Sequence, residues 1–270
     1  MKKNYLFIAL LFVSTLMVSA NITPNQMINI AGKQRMLSQK LAKVYLMKAY
    51  GANLPELNKE LKIGKIIFEN NIKTLSINAQ KMFSDQVRSK INKEIVTWEN
   101  FKIYLEKPVN EVFITKILEL SNKLLTDTDE VVKSLQNESF MLSDFKISDE
   151  VLQTIDLSGK QRMLSQRLCV YFIAKKLFLK RKEYNETVEN YLKSIFNELD
   201  ETLVTLLSKE INNNKIDEAI GSTLIAFEKI REQRHQFLTG TASMNMVYDT
   251  TNELTNLYDG LTSIYAELDK

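Results

Sequence analysis

The sequence predicts an all-α protein made of two tandem antiparallel four-helix bundles after a signal peptide. Three observations predict it. Glycine and proline are scarce, seven and three in 270 residues, while 44% of residues are apolar, so the chain is rich in core formers and poor in turn formers. Capping residues recur at the intervals required by long helices with short connections. The octapeptide Gly-Lys-Gln-Arg-Met-Leu-Ser-Gln occurs twice, at 32–39 and at 159–166. That period is too long for a solenoid and suits two small bundles.

The elements follow in order. Lys2 and Lys3 precede an apolar run over 6–18 that ends in Val18-Ser19-Ala20, the three-part pattern of a secretory signal peptide. Residues 1–20 are therefore set aside, with cleavage expected after Ala20 and a periplasmic or secreted mature protein. The run is shorter than the roughly 20 residues a spanning helix needs; an uncleaved N-terminal anchor is the alternative. The first unit covers 21–140. Thr23-Pro24-Asn25-Gln26 reads as a capping box with proline at the first helical position, starting a helix that Gly51 stops after Tyr50. A second helix is expected from Pro55 to Met82, and a third from the cap Ser84 to Glu106. Pro108 opens a fourth through Leu118, Leu125, Val132 and Leu135. After a linker over 139–147, Ser148-Asp149-Glu150 supplies a new cap with acidic residues in the first turn. The second unit, 148–270, is expected to hold helices at 149–181, 183–209, 216–239 and 243–268, with Asn212-Asn213-Asn214 as one loop. Leu254, Leu257, Leu261, Ile264 and Leu268 draw the apolar stripe of the last helix.

Composition removes several function classes. Without Lys2 and Lys3 the 36 basic residues fall to 34 against 33 acidic ones, which leaves no electrostatic footprint for nucleic acid or an anionic membrane surface. The single cysteine, Cys169, forms no internal disulfide. His235 and Cys169 stand in different helices without metal-ligand spacing, and no glycine-rich phosphate loop is present. The expectation is a protein that is not an enzyme and carries no cofactor or metal, with His235 on a helix surface.

The repeated octapeptide shares polar chemistry as well as apolar pattern. Ile28, Ala31 or Gly32, Arg35, Ser38, Ala42, Tyr45 and Ala49 follow alternating steps of three and four along one seam. The second copy gives Ile155, Ser158 or Gly159, Arg162, Ser165, Cys169 and Phe172. Each arginine thus sits at a core position among small residues, where its desolvation costs several kcal/mol unless it is paired. Small neighbours let another helix approach or leave a gap that a planar anion fits, because guanidinium presents its donors in a rigid fork. The competing reading has Arg35 and Arg162 snorkel to solvent or pair with bundle carboxylates such as Glu69 or Glu198. Met36, Leu37, Leu41, Met163, Leu164 and Leu168 read as core, and Lys33 and Gln34 as water-facing. The octapeptide could equally be a packing cassette between two bundles.

At 28–46 and 155–172 the sequence resembles the signature helix of the PilJ-type domain, the N-terminal sensor domain of type IV pilus methyl-accepting chemotaxis transducers. That domain is akin to the sensor domain of the NarX/NarQ nitrate and nitrite sensor kinases. The resemblance implies that Gly32 with Arg35, and Gly159 with Arg162, hold a small anion; Ser38 and Ser165 lie beside them on the seam. Lys33-Gln34 and Lys160-Gln161 follow the PilJ-type pattern rather than the nitrate sensors, which puts nitrate itself in question. Receptors of this family continue into a membrane helix and a signalling module, whereas this sequence stops at Lys270, so the expectation is a freestanding binding module without its own signalling part.

The resulting expectation is a periplasmic protein that binds a small oxyanion such as nitrate or nitrite and presents it to a membrane-bound receptor or sensor kinase. The other class is a ligand-free helical protein that docks on a chemoreceptor, kinase or pilus-associated partner. Side-by-side units would make Arg35 and Arg162 face each other within one chain. End-to-end units would need a homodimer to complete each site.

Overall fold

The computed structural model describes residues 22–52, 55–139 and 148–268. The expected signal peptide and the linker residues 140–147 lie outside the described residues. Among the described residues there are nine α-helices, one 3-10 turn and no strand. The first half holds α1 (Pro24–Tyr50), α2 (Pro55–Met82), α3 (Asp85–Glu106) and α4 (Ile114–Ser139); the second holds α5 (Asp149–Lys180), α6 (Glu186–Leu207), α7 (Asn214–Arg231), α8 (Arg234–Thr239) and α9 (Met244–Tyr265).

The helix starts follow the capping chemistry. The Thr23 hydroxyl accepts from the Gln26 amide while the Gln26 side chain accepts from the Thr23 amide, so two of the orphan donors at the start of α1 are satisfied reciprocally. Ser84, Ser148, Asn185 and Asn213 each accept a backbone amide at the starts of α3, α5, α6 and α7. Gly51 ends α1 at φ 96°, in the left-handed region where only glycine is unstrained. Two expectations fail locally. Pro108 does not open α4: Asn110 caps a 3-10 turn over Glu111–Phe113, and the α-helix begins at Ile114. The helix expected over 216–239 breaks after Arg231, and α8 resumes at Arg234.

Each half closes a ring. α1 packs on α2 and α4, which both meet α3; α5 packs on α6 and α9, which both meet α7. The most extensive contact of all is between the halves, along α1 and α5. Burial records this: 18 of the 27 residues of α1 and 22 of the 32 of α5 are buried, against eight of 28 in α2. A helix covered on most sides has only a narrow solvent face and so little amphipathic pattern. The apolar residues of both halves form one continuous core.

α1 and α5 run parallel. Arg35 of α1 bonds Asp156 of α5, and further along the same pair Lys43 interacts with Cys169. α4 runs antiparallel to α1, since Arg35 meets Asp129 and Gln39 donates to the Ser121 carbonyl. The halves are therefore side by side, not end to end.

Gly64 lets α2 approach α1, because a Cβ there would lie 2.9 Å from Leu41 Cδ2. Gly64→Val is expected to destabilise the protein by about 1–3 kcal/mol through overpacking, read as a lower urea midpoint with an unchanged slope.

Candidate functional site

The parallel packing of α1 on α5 brings the two octapeptides together. Arg35 is 2% and Arg162 1% exposed, which excludes snorkelling. A Cβ built on Gly32 would lie 3.2 Å from Nη2 of Arg162 and 3.6 Å from Nη2 of Arg35; on Gly159 the distances are 3.2 and 3.8 Å. Both guanidinium groups thus converge on the same two glycines, and a side chain at either glycine would press on them.

Carboxylates hold the arginines there. Arg35 donates from Nη1 to Asp129 at 2.9 Å and from Nη2 to Asp156 at 2.5 Å, while Arg162 donates from Nη1 to Asp259 at 2.5 Å. The first pair links α1 to α4 and the last links α5 to α9, so each half repeats the same arginine–aspartate bridge. Asp156 of α5 carries the bridge across to Arg35 in the other half. Lys133 also pairs with Asp129 at 2.7 Å, and Lys33 with Asp259 at 3.3 Å. The paired cluster therefore counts four cations and three carboxylates, one positive charge in excess. Nε of Arg35 and Nε of Arg162 are buried without a hydrogen-bond partner.

The charges shift one another. Burial raises the Asp129 carboxyl, but its bonds to Lys133 and Arg35 outweigh this and leave it below its ordinary value. Asp259 behaves alike, with Arg162 and Lys33 outweighing burial. Burial lowers Arg162, opposed by Asp259 and reinforced by the nearby charge of Arg35.

The remaining octapeptide residues lock the helices in place. Gln34 is fully buried and donates to the Phe68 carbonyl of α2 at 3.0 Å while accepting from Asn71. The expectation that Gln34 faces water is wrong, because α2 covers that side of α1. Lys33 is half-exposed and paired with Asp259. Gln39 donates to the Ser121 carbonyl, and Gln166 donates to Thr255 and Asn252. Ser38 and Ser165 are buried, and their hydroxyls donate to the Arg35 and Gln161 carbonyls of their own helices. Glu69 and Glu198 are not the arginine partners: they bind Lys102 and Lys160. Leu37, Leu41, Met163, Leu164 and Leu168 are core.

The three aspartates were not singled out from sequence. Asp129 carried a signal: it stands four residues after Leu125 and three before Val132, on the apolar stripe of its helix, where an acidic residue complements an arginine on the neighbouring helix. Another buried cation was also missed. Lys43 is fully buried, with Nζ 2.5 Å from Asn252 Oδ1, 3.8 Å from Glu60 and 4.4 Å from the centre of the Tyr248 ring. Burial pushes its amine down to about 8 against the opposing charge of Glu60. His235 is exposed. Cys169 is buried and its thiol is pushed up to about 11, chiefly by burial, which removes thiolate character. Among the described residues no group of acidic, histidine or cysteine side chains could hold a metal, and no helix is long and apolar enough to cross a membrane.

Residues 21–114 match the PilJ family, described as the type IV pili methyl-accepting chemotaxis transducer N-terminal domain. The match contains Gly32 and Arg35; Gly159 and Arg162 lie outside it. Uncharacterized protein MJ0602 of Methanocaldococcus jannaschii is 23% identical over 193 residues, which covers 59% of this chain and 72% of that protein. No solved structure matches.

Proposed function

We propose that the chain is a sensor-type helical module that binds one small planar oxyanion between its halves, with Arg35, Arg162, Gly32 and Gly159 at the site. The two rings are read as tandem antiparallel four-helix bundles, the second a diverged copy of the first. One observation carries the reading: two buried guanidinium groups converge on two glycines, and the Nε atoms of both lack acceptors. Guanidinium edges of that kind suit paired oxygens, and the excess positive charge of the cluster favours an anion. The PilJ match over 21–114 supports a signalling-related role. The site is read as binding rather than catalytic, and the pattern at 1–20 supports a location outside the cytoplasm, where a membrane-bound receptor or kinase would read its state.

A second reading has a specific observation in its favour. Both site arginines already meet a carboxylate, as in a ligand-free interaction module. Thermal unfolding in nitrate, nitrite and acetate, against chloride at equal ionic strength, separates the two. A ligand at 100 times its dissociation constant adds about 2.7 kcal/mol, a rise on the order of 5–10 °C for a chain of this size. Equal midpoints in all four salts would leave the interaction module as the better account.

A further inference from the structure

Arg35 and Arg162 are related by the repeat, yet their donor edges are in different states. Arg162 bonds Asp259 through Nη1, and among the described residues neither its Nε nor its Nη2 has an acceptor. Arg35 makes the same kind of bond through Nη1 to Asp129, but its Nη2 is taken by Asp156 at 2.5 Å. The difference traces to one pair of positions, three residues before each glycine. The second copy has Asp156 there and the first has Asn29, whose buried Oδ1 has no hydrogen-bond partner.

Asp156 is also the least secured of the three aspartates. Asp129 is held by Arg35 and Lys133, and Asp259 by Arg162 and Lys33, whereas Asp156 pairs with Arg35 alone. Its side chain is 30% exposed and forms one wall of a groove of about 480 Å³, together with Gln136, Leu152, Leu157, Lys160 and Lys209. The arginines themselves are closed off by packing. A solute that reaches Arg35 from this groove meets Asp156 first.

We infer that the Asp156 carboxylate is a built-in competitor: it fills the Nη2 donor of Arg35 in the empty protein, and a planar oxyanion or small carboxylate enters from the groove by displacing it. The inference rests on the anion site proposed above. A carboxylate offers the same planar pair of oxygens as nitrate or acetate, so the exchange replaces one charge-assisted hydrogen bond with another of similar strength. The displaced side chain is already partly hydrated, and Lys160 and Lys209 stand in the groove beside it, so it is not left buried and unpaired.

The test compares nitrate and acetate binding by calorimetry on the whole chain and on two variants. Asp156→Asn removes the competitor. Asp129→Asn removes the same charge from the same guanidinium but leaves the competitor in place. Asp156→Asn is expected to tighten binding of one of the two anions by about tenfold, the loss of roughly one charge-assisted hydrogen bond, and Asp129→Asn by less than about threefold. If the unaltered protein binds and Asp156→Asn binds no tighter than Asp129→Asn, the competitor is overturned while the anion site stands. If neither anion binds the unaltered protein or Asp156→Asn, the site itself fails and the competitor with it. Circular dichroism checks that each variant is folded, and Asp156→Ser replaces Asp156→Asn in the comparison if the latter is not.

Discussion

Arg35→Ala is expected to destabilise the protein by about 2–3 kcal/mol, with a fall in melting temperature on the order of 5–10 °C. Removing one partner of a buried ion pair commonly costs about 3–5 kcal/mol. Here Asp129 and Asp156 have side chains 32% and 30% exposed and can rehydrate when the guanidinium is gone, so the cost falls below that range. The aspartate bridges to α4 and α5 thus give Arg35 a part in stability. Arg162→Ala is expected to cost less, because its one carboxylate, Asp259, keeps Lys33. It should abolish anion binding all the same, since it removes the Nη2 donor nearest both glycines. Differential scanning calorimetry of the two variants reads the order directly, and an Arg35→Ala midpoint within a degree of the parent would show that the bridges contribute nothing.

Stability should decline as pH rises from about 5 to 8, and Glu94→Gln should remove most of the decline. Glu94 is fully buried on α3, neither carboxyl oxygen has a donor in good hydrogen-bond geometry, and burial pushes its carboxyl up to about 8, with the neighbouring Gln34 amide opposing and the charge of Asp127 adding to the shift. Below its ordinary value of 4.5 the group is protonated in both states. Between there and about 8 the folded protein holds a proton that the unfolded chain has released, so folding weakens with pH. Each unit of the difference is worth about 1.4 kcal/mol, which makes the whole decline several kcal/mol. Lys43 acts above that window with the opposite sign: its amine is lowered from 10.5 to about 8, so the folded state sheds a proton that the unfolded chain keeps, and stability recovers as pH rises from about 8 to 10.5. Urea titrations at pH 5, 6, 7 and 8 on both proteins measure the slope. Parallel slopes would mean that Glu94 is hydrated and does not govern the decline.

Helix starts and the seam were legible because their signals are local. Thr23, Ser84 and Ser148 cap where their side chains dictate, and the steps of three and four along α1 and α5 select residues that are buried in the structure, Ala49 alone being only partly so. The break between α7 and α8 left no mark, since no glycine or proline stands at Glu232 or Gln233. Its cause is tertiary: Phe237 stacks on Phe172 at 4.9 Å and meets Phe196 at 6.1 Å, and burying that ring on α8 redirects the chain. The aspartates were hidden for a related reason. An acidic residue on a helix reads as solvated by default, and only the position of another helix, many residues away, reveals that Asp156 serves Arg35. Gln34 was misread because a single helix pattern does not say how many neighbours cover it.

Two helices that carry the same octapeptide on one polypeptide are free of a constraint that binds a pair of identical subunits. A two-fold assembly of one gene product must place the same residue on both sides of its axis, so a plug facing one arginine would be mirrored by a plug facing the other. Here Asn29 and Asp156 occupy the corresponding places on α1 and α5, and the two arginines can be set to different readiness. Covalent linkage also removes the dependence on protein concentration that an intersubunit site carries. At the proposed site, such a fused, lopsided pair would take one anion per chain with an affinity indifferent to dilution.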